Sequence, residues 1–331
     1  MSTCCVRGTF VKIQRFGQVA AAALAGSLAL AACGGQQSTP SGSGSGSGAA
    51  LTGSIVSDGS STVGPLTSAA AELFMTENSG VKISVGTSGT GGGFKKFCAG
   101  QSGMSNASRP IKDEEKELCA KNGVEFQEII VANDALTVVV NKENTFLTCL
   151  TVDELKKLWE PGATGKVTTW DQVNAKFPAE PIKLYGPGTD SGTFDYFTKE
   201  INGEEGASRT DYSPSEDDNV IVQGVSGDKN ALGYFGFTYF EENVDKLKAV
   251  AVDGGGGCVV PSSDAARDGS YKPLARPLFV YVAKKEWAKP EFKAFVNFYI
   301  DNQAKIAEAA RYIPLSGEQE KTAKSEIASL G

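Results

Sequence analysis

Three stretches of the 331-residue chain place glycine and small hydroxyl residues immediately ahead of a helical run. They are Ser60, Ser61 and Thr62 in DGSSTVGPL, Ser88, Gly89 and Thr90 in SVGTSGTGGGFKKF, and Ser191, Gly192 and Thr193 in GPGTDSGTFDYF. The first turn of a helix leaves backbone N–H groups unpaired and carries about half a positive charge, which suits an anion. Glycine removes the side chain that would hold the anion away, and each Ser or Thr adds a donor. Any one such stretch reads equally well as a turn and N-cap. Three together, with Arg109 in SNASRPI, point to an oxyanion held by neutral dipoles and a guanidinium. Pro110 keeps Arg109 out of the helical region, and a fixed arginine forks onto two oxygens of a tetrahedral anion.

Catalytic chemistry fits these residues less well. GTSGT departs from Gly-x-Ser-x-Gly, and a chain with no histidine builds no Ser-His-Asp relay. GTSGTGGGFKK lacks the Gly-Lys-Ser/Thr of a nucleotide loop, and GTGGGF breaks Gly-x-Gly-x-x-Gly at its last position. A dyad of Ser88 with Lys95 or Lys96 stays open. An extracellular serine hydrolase using Ser88 or Ser191 as nucleophile is therefore the alternative from another class. With no CxxC spacing and no histidine, no metal is expected, and no cofactor either.

The elements that must position these residues alternate in kind. Helices are expected at Ala69–Thr76, Phe94–Gly100 and Asp113–Asn122, with a strand at Val81–Val85. Glu128–Asn141 alternates and then runs apolar, as strand following strand. Thr151 and Glu154 form a capping box that opens a helix. PIKLYGPG reads as a strand ending in a glycine-rich turn, and SGTFDYFTKEI as a helix with Phe194, Phe197 and Ile201 on one face. RPLFVYVAKK is a strand, and Pro290–Ala310 a long amphipathic helix. Strands alternating with helices indicate an α/β protein with mostly parallel sheets.

The ends of the chain speak to its address. Arg7, Lys12 and Arg15 precede a short apolar run ending Leu30-Ala31-Ala32-Cys33, the pattern of a secretory signal over residues 1–32. The run is too short to span a membrane, and its ending resembles a lipobox in which Cys33 is lipidated. Residues 33–50 then form a Gly/Ser tether with an end-to-end spread of roughly 20–25 Å. Removing residues 1–32 leaves 29 basic against 39 acidic groups, a net charge of −10 that argues against nucleic acid as a partner. Four cysteines follow Cys33. They allow three pairings, and Cys98–Cys119 with Cys149–Cys258 is the expected one, the first stapling neighbouring helices.

DGSSTVGPL, GTSGTGGGFKKFCAG, SNASRPI and YGPGTDSGTFDYF, in this order behind a lipobox, resemble the phosphate-binding protein of bacterial phosphate ABC transporters. The likeness runs from about Leu51 to the C-terminus. It implies a two-lobed periplasmic-binding-protein fold of type II, with the anion in the cleft and hinge crossings near Val131–Asn141 and Lys272–Val282. Lobe one would comprise residues 51–135 plus 277–331, and lobe two 136–276. Thr62 and Val63 would offer hydroxyl and amide, beside Ser61, Ser88 and Ser108, with Ser191, Gly192 and Thr193 closing from lobe two. Some members carry an arginine where this chain has Pro187, and an aspartate in the segment matching SNAS. In such members the aspartate accepts the proton of hydrogen phosphate, which sulfate lacks. Here Arg109 would replace the arginine, and Asp190 or else Asp58 would be the acceptor; Asp190 reads equally as an N-cap. The resemblance implies a monomeric receptor, anchored by lipid in the periplasm or at the cell surface, with inorganic phosphate and ABC permease transmembrane subunits as partners. Sulfate or molybdate is the alternative ligand.

Overall fold

The computed structural model describes residues 50–189, 191–215 and 217–331. The secretory segment, Cys33, the tether up to residue 49 and Asp190 lie outside the described residues. The strands are β1 (Gly53–Gly59), β2 (Val81–Gly86), β3 (Met104–Ala107), β4 (Phe126–Asn141), β5 (Cys149–Thr151) and β6 (Lys183–Gly186). They continue as β7 (Ser213–Pro214), β8 (Ala231–Gly236), β9 (Leu247–Ala249), β10 (Ala251–Asp253), β11 (Cys258–Val259) and β12 (Ala275–Ala283). A nine-stranded sheet runs in the order β2-β1-β3-β12-β4-β8-β6-β7, with β9 against β4; β5, β10 and β11 form a smaller sheet.

Two strands organise this sheet. β4 is one continuous strand of 16 residues, where the sequence suggests two in succession. What changes along it is the partner: Phe126–Ala135 pairs with β12 and Leu136–Val140 with β8. Both sides of its second half are covered, so an unbroken apolar run replaces alternation. β1 is parallel to β2 and β3, and β6 to β7 and β8. The pairings of β4 and β12 are antiparallel, so the sheet is mixed, where mostly parallel strands are expected. A chain that crosses one way on β4 and returns on β12 must run the two in opposite directions.

The halves of the sheet have separate cores. On one side Leu66 and Phe74 of the helix Gly64–Glu77 pack with Phe295 and Tyr299 of the helix Pro290–Asp301, Phe74 meeting Phe295 edge-on at 5.4 Å. On the other, Trp159, Phe197 and Tyr234 are fully buried, with Phe197 stacked on Tyr234 at 3.8 Å. Ile313, from the C-terminal segment, is buried in this second core. Asn302 breaks the long C-terminal helix, its side-chain amide donating to the Phe298 carbonyl at 3.0 Å, and Gln303–Ala309 forms a separate helix. Both expected disulfides are present: Cys98–Cys119 joins two helices, and Cys149–Cys258 joins β5 to β11. Among the described residues no helix is long and apolar enough to cross a membrane.

Candidate functional site

Loops from the two halves of the sheet face each other across a cleft of about 760 Å³. The first wall begins where β1 ends. Gly59 adopts φ +144°, and a side chain there would lie 2.1 Å from the Asn106 carbonyl oxygen. Its absence lets the next residue donate its N–H to that oxygen at 2.9 Å, clamping the loop onto β3. Ser60 is buried, and its hydroxyl accepts from the Thr62 and Val63 amides at 3.2 and 3.4 Å, opening the helix Gly64–Glu77. This turn leaves Ser61 and Thr62 lining the cleft. It also turns Val63 into the core, fully buried, with its amide directed at Ser60.

Ser88 lines the cleft from the loop after β2. The sequence reading takes each serine as a donor, but both donors of Ser88 go to Asp58: its N–H at 3.2 Å, and its hydroxyl in a short hydrogen bond. Lys96 binds the other carboxylate oxygen at 2.6 Å. Burial raises the Asp58 carboxyl, but the bonds from Lys96 and Ser88 outweigh it and hold the group below the usual carboxylate range. An ionised carboxylate only accepts, so the Ser88 hydrogen points at Asp58 and its lone pairs remain for the cleft. Lys96 is thereby held by Asp58. Gly93 permits this packing, since a side chain there would lie 2.4 Å from the Gly59 Cα. Beside it, the Ser108 amide donates to Thr90 Oγ1 at 3.2 Å, and their hydroxyls are also 3.2 Å apart.

Arg109 lines the cleft, but its fork has a partner. Nη1 and Nη2 each donate to a Glu115 oxygen at 2.8 Å, and Nη1 also reaches the Pro110 carbonyl. Burial raises the Glu115 carboxyl, but the bonds from Arg109 and the Lys112 amide together outweigh it and hold the group below the usual carboxylate range. An anion would therefore have to compete with Glu115 for this guanidinium.

The facing wall is the helix Gly192–Phe197. Ser191 caps it, its hydroxyl accepting from the Thr193 amide at 3.2 Å, and buried Phe194 and Phe197 fix its angle. A Cβ on Gly192 would lie 3.0 Å from Thr62 Oγ1 and 3.4 Å from Ser61 Oγ. The first and third hydroxyl stretches thus meet at van der Waals distance. Gly192, Asp195 and Tyr196 line the cleft from this helix; Ser191 and Thr193 stand beside it and are not among the lining residues. Burial, then the neighbouring Glu205, pushes the Asp195 carboxyl up.

The sequence reading misses Arg276. It stands on β12 opposite Asp134 on β4, at the point where β4 changes partner. Its Nε donates to Asp134 at 3.2 Å, Nη2 to Thr62 Oγ1 at 3.2 Å and Nη1 to the Ser108 carbonyl at 3.4 Å. Its Cζ lies 3.5 Å from the centre of the Tyr196 ring. Burial raises the Asp134 carboxyl against the pull of Arg276. A signal was present, because Arg276-Pro277 repeats the Arg109-Pro110 pattern. Among the described lining residues Arg109, Lys112, Lys199, Lys272 and Arg276 outnumber Asp195, Glu200 and Glu205, on a chain that is acidic overall.

Comparison with known proteins adds to this geometry. Residues 39–303 match the model of a PBP superfamily domain. Protein SphX of Synechocystis sp. is 50% identical over 266 residues, covering 80% of this chain and 79% of its own. The phosphate-binding protein PstS of Staphylococcus saprophyticus is 42% identical over 308 residues, covering 92% of this chain and 90% of its own. The crystal structure of a possible phosphate binding protein from Planctomyces limnophilus is 44% identical, with a TM-score of 0.81, covering 85% of this chain and 99% of that one.

Proposed function

The chain belongs to the PBP superfamily, in the family of the phosphate-binding proteins PstS, and from that premise we propose a receptor for inorganic phosphate. It binds phosphate with high affinity outside the cytoplasmic membrane and delivers it to an ABC-type import permease. The observation that carries this reading is the meeting of Gly192 with Ser61 and Thr62. It puts a helix start from one wall against a hydroxyl turn from the other, and such oriented neutral donors suit an anion between them. The ligand set is Ser61, Thr62, Ser88, Ser108 and Arg109 with the turn Ser191, Gly192 and Thr193; Val63 supports it from the core.

Hydrogen phosphate carries one O–H donor, and sulfate at neutral pH carries none. Ser88, its own hydrogen committed to Asp58, presents lone pairs that only the protonated anion satisfies. Asp58 is thus the acceptor acting through a serine; Asp190 is the other candidate for the role. Lys96, one of the two lysines that a hydrolytic Ser88 could use as base, is bound to Asp58, which supports a binding protein over an enzyme. The lobes are residues 51–135 plus 277–331 and 136–276, closing by rotation about β4 and β12. A signal over residues 1–32, lipidation at Cys33 and the tether keep this monomer at the membrane surface.

Anion-by-anion calorimetry tests the reading. Phosphate is expected to bind stoichiometrically and without turnover, with sulfate and molybdate far weaker. Phosphate binding no tighter than sulfate binding would overturn it.

A further inference from the structure

Three cationic or hydroxyl groups of the cleft already make bonds inside the protein, and one of them stands out by its place where the two walls meet. Ser88 gives its amide and hydroxyl hydrogens to Asp58. Arg109 commits three of its five N–H groups, two to Glu115 and one to the Pro110 carbonyl, and its side chain is 32% exposed. Arg276 differs in where it stands. Of its five N–H groups, one on Nε is directed to Asp134, one on Nη1 to the Ser108 carbonyl, and one on Nη2 to Thr62 Oγ1. One N–H on each terminal nitrogen remains.

Those two hydrogens sit at the centre of the site. Thr62 Oγ1 is the atom that Nη2 touches, and it is also the atom nearest to a Cβ built on Gly192. The Arg276 fork is therefore one hydrogen bond away from the point where the two walls meet. The side chain has few other places to go. It is 16% exposed, the Tyr196 ring covers one face of its guanidinium, and Asp134 fixes its Nε end. A planar cation held on three sides, with one donor left on each terminal nitrogen, suits the oxygens of a tetrahedral anion.

We propose that Arg276, carried on β12 opposite Asp134 of β4, is a direct ligand of the bound oxyanion and its main cationic contact. The proposal rests on the phosphate reading above and adds the residue that supplies the charge. Because Tyr196 belongs to the Gly192 helix, the stack also ties the position of that helix to the ligand-bearing guanidinium. Arg109 then serves at the rim, with Glu115 sharing its charge.

Calorimetry of the full-length protein with inorganic phosphate tests this. Arg276→Gln is expected to weaken binding roughly 10- to 150-fold, the range for losing a hydrogen-bonded charged contact, and by more than Arg109→Gln does. The single change also strands Asp134, so Arg276→Gln/Asp134→Asn, which leaves no unpaired buried charge, is measured beside it. A double variant that still binds at least tenfold more weakly than wild type supports direct ligation. Recovery to less than a tenfold loss means that Arg276 acts only by neutralising Asp134, and overturns the proposal. If the single variant does not fold, the double variant decides by the same threshold. Wild-type protein that binds no phosphate would remove the phosphate reading and this inference together, a result distinct from tight wild-type binding with insensitive variants.

Discussion

Ser88 has one hydroxyl hydrogen, and on the proposed reading its direction sets which anion the cleft prefers. With Asp58 ionised behind it, the hydrogen points at the carboxylate and the lone pairs are left to accept from a ligand. Asp58→Asn puts an amide there that donates to Ser88 and frees its hydrogen for the anion. The phosphate-over-sulfate preference should then fall by roughly 10- to 150-fold, read as the ratio of the two calorimetric affinities. An unchanged ratio would assign the discrimination elsewhere. A second carboxylate sets an acid limb of stability. Asp211, held by Arg209 at 2.6 and 2.9 Å, has its pKa lowered to about 2, chiefly by those bonds. A carboxyl depressed in the folded state contributes stability above its unfolded pKa of about 3.9 and loses it as pH falls towards about 2. Asp211→Asn should therefore be less stable than wild type at pH 7, with the gap in Tm closing between about pH 4 and pH 2. A gap independent of pH would show that the pair contributes packing alone.

At the scale of elements, the helix Gly192–Phe197 delivers its first turn to the cleft because the other end is anchored. Phe197 is fully buried against Tyr234 and Trp159. Beyond it the backbone widens to a π-helical turn at Thr198–Asn202, where the Thr198 hydroxyl donates to the Phe194 carbonyl at 2.8 Å. The sequence predicts an ordinary helix through this stretch, and the hydroxyl back-bond supplies the local departure. Gly192→Val places branched carbons where a single Cβ already comes to 3.0 Å of Thr62 Oγ1. Phosphate affinity is expected to fall more than about tenfold while Tm changes by only a few degrees, since the buried face of the helix is untouched. A variant that binds phosphate as tightly as wild type would move the ligand away from this turn.

At the scale of the molecule, β4 pairs with β12 along its first half and with β8 along its second, so on the proposed two-lobed reading a motion of one half against the other must bend it. Arg276 and Asp134 are paired one residue before the step, from Ala135 to Leu136, where β4 exchanges β12 for β8. If Arg276 is the ligand cation and β4 the pivot, as proposed, ligand contact and closure are expected to respond together to changes there. The disulfides act elsewhere. Cys149–Cys258 closes 109 residues of chain and Cys98–Cys119 closes 21, which on loop entropy correspond to about 4–5 and about 3 kcal/mol. Cys149→Ser/Cys258→Ser should lower Tm more than Cys98→Ser/Cys119→Ser in parallel thermal melts. The reverse order would mean that packing of the buried Cys98 and Cys119, not chain entropy, dominates.

The sequence by itself determined which turns carry hydroxyls and glycine, because those choices are local: a helix start needs a cap, and an approaching anion needs a missing side chain. It also determined the apolar face of Phe194, Phe197 and Ile201, since that follows from a period of 3.6 residues. Only the tertiary structure decided which donors are left over. Ser88 finds Asp58 thirty positions away, and Arg276 finds Asp134 across 142 positions through the register of two antiparallel strands. A hydrogen serves one strong acceptor at a time, so its availability depends on what the fold brings within 3 Å. That is why Arg109, marked by its Pro neighbour, turns out to share its fork with Glu115, while Arg276, marked in the same way, is held by Asp134, Thr62 and the Ser108 carbonyl.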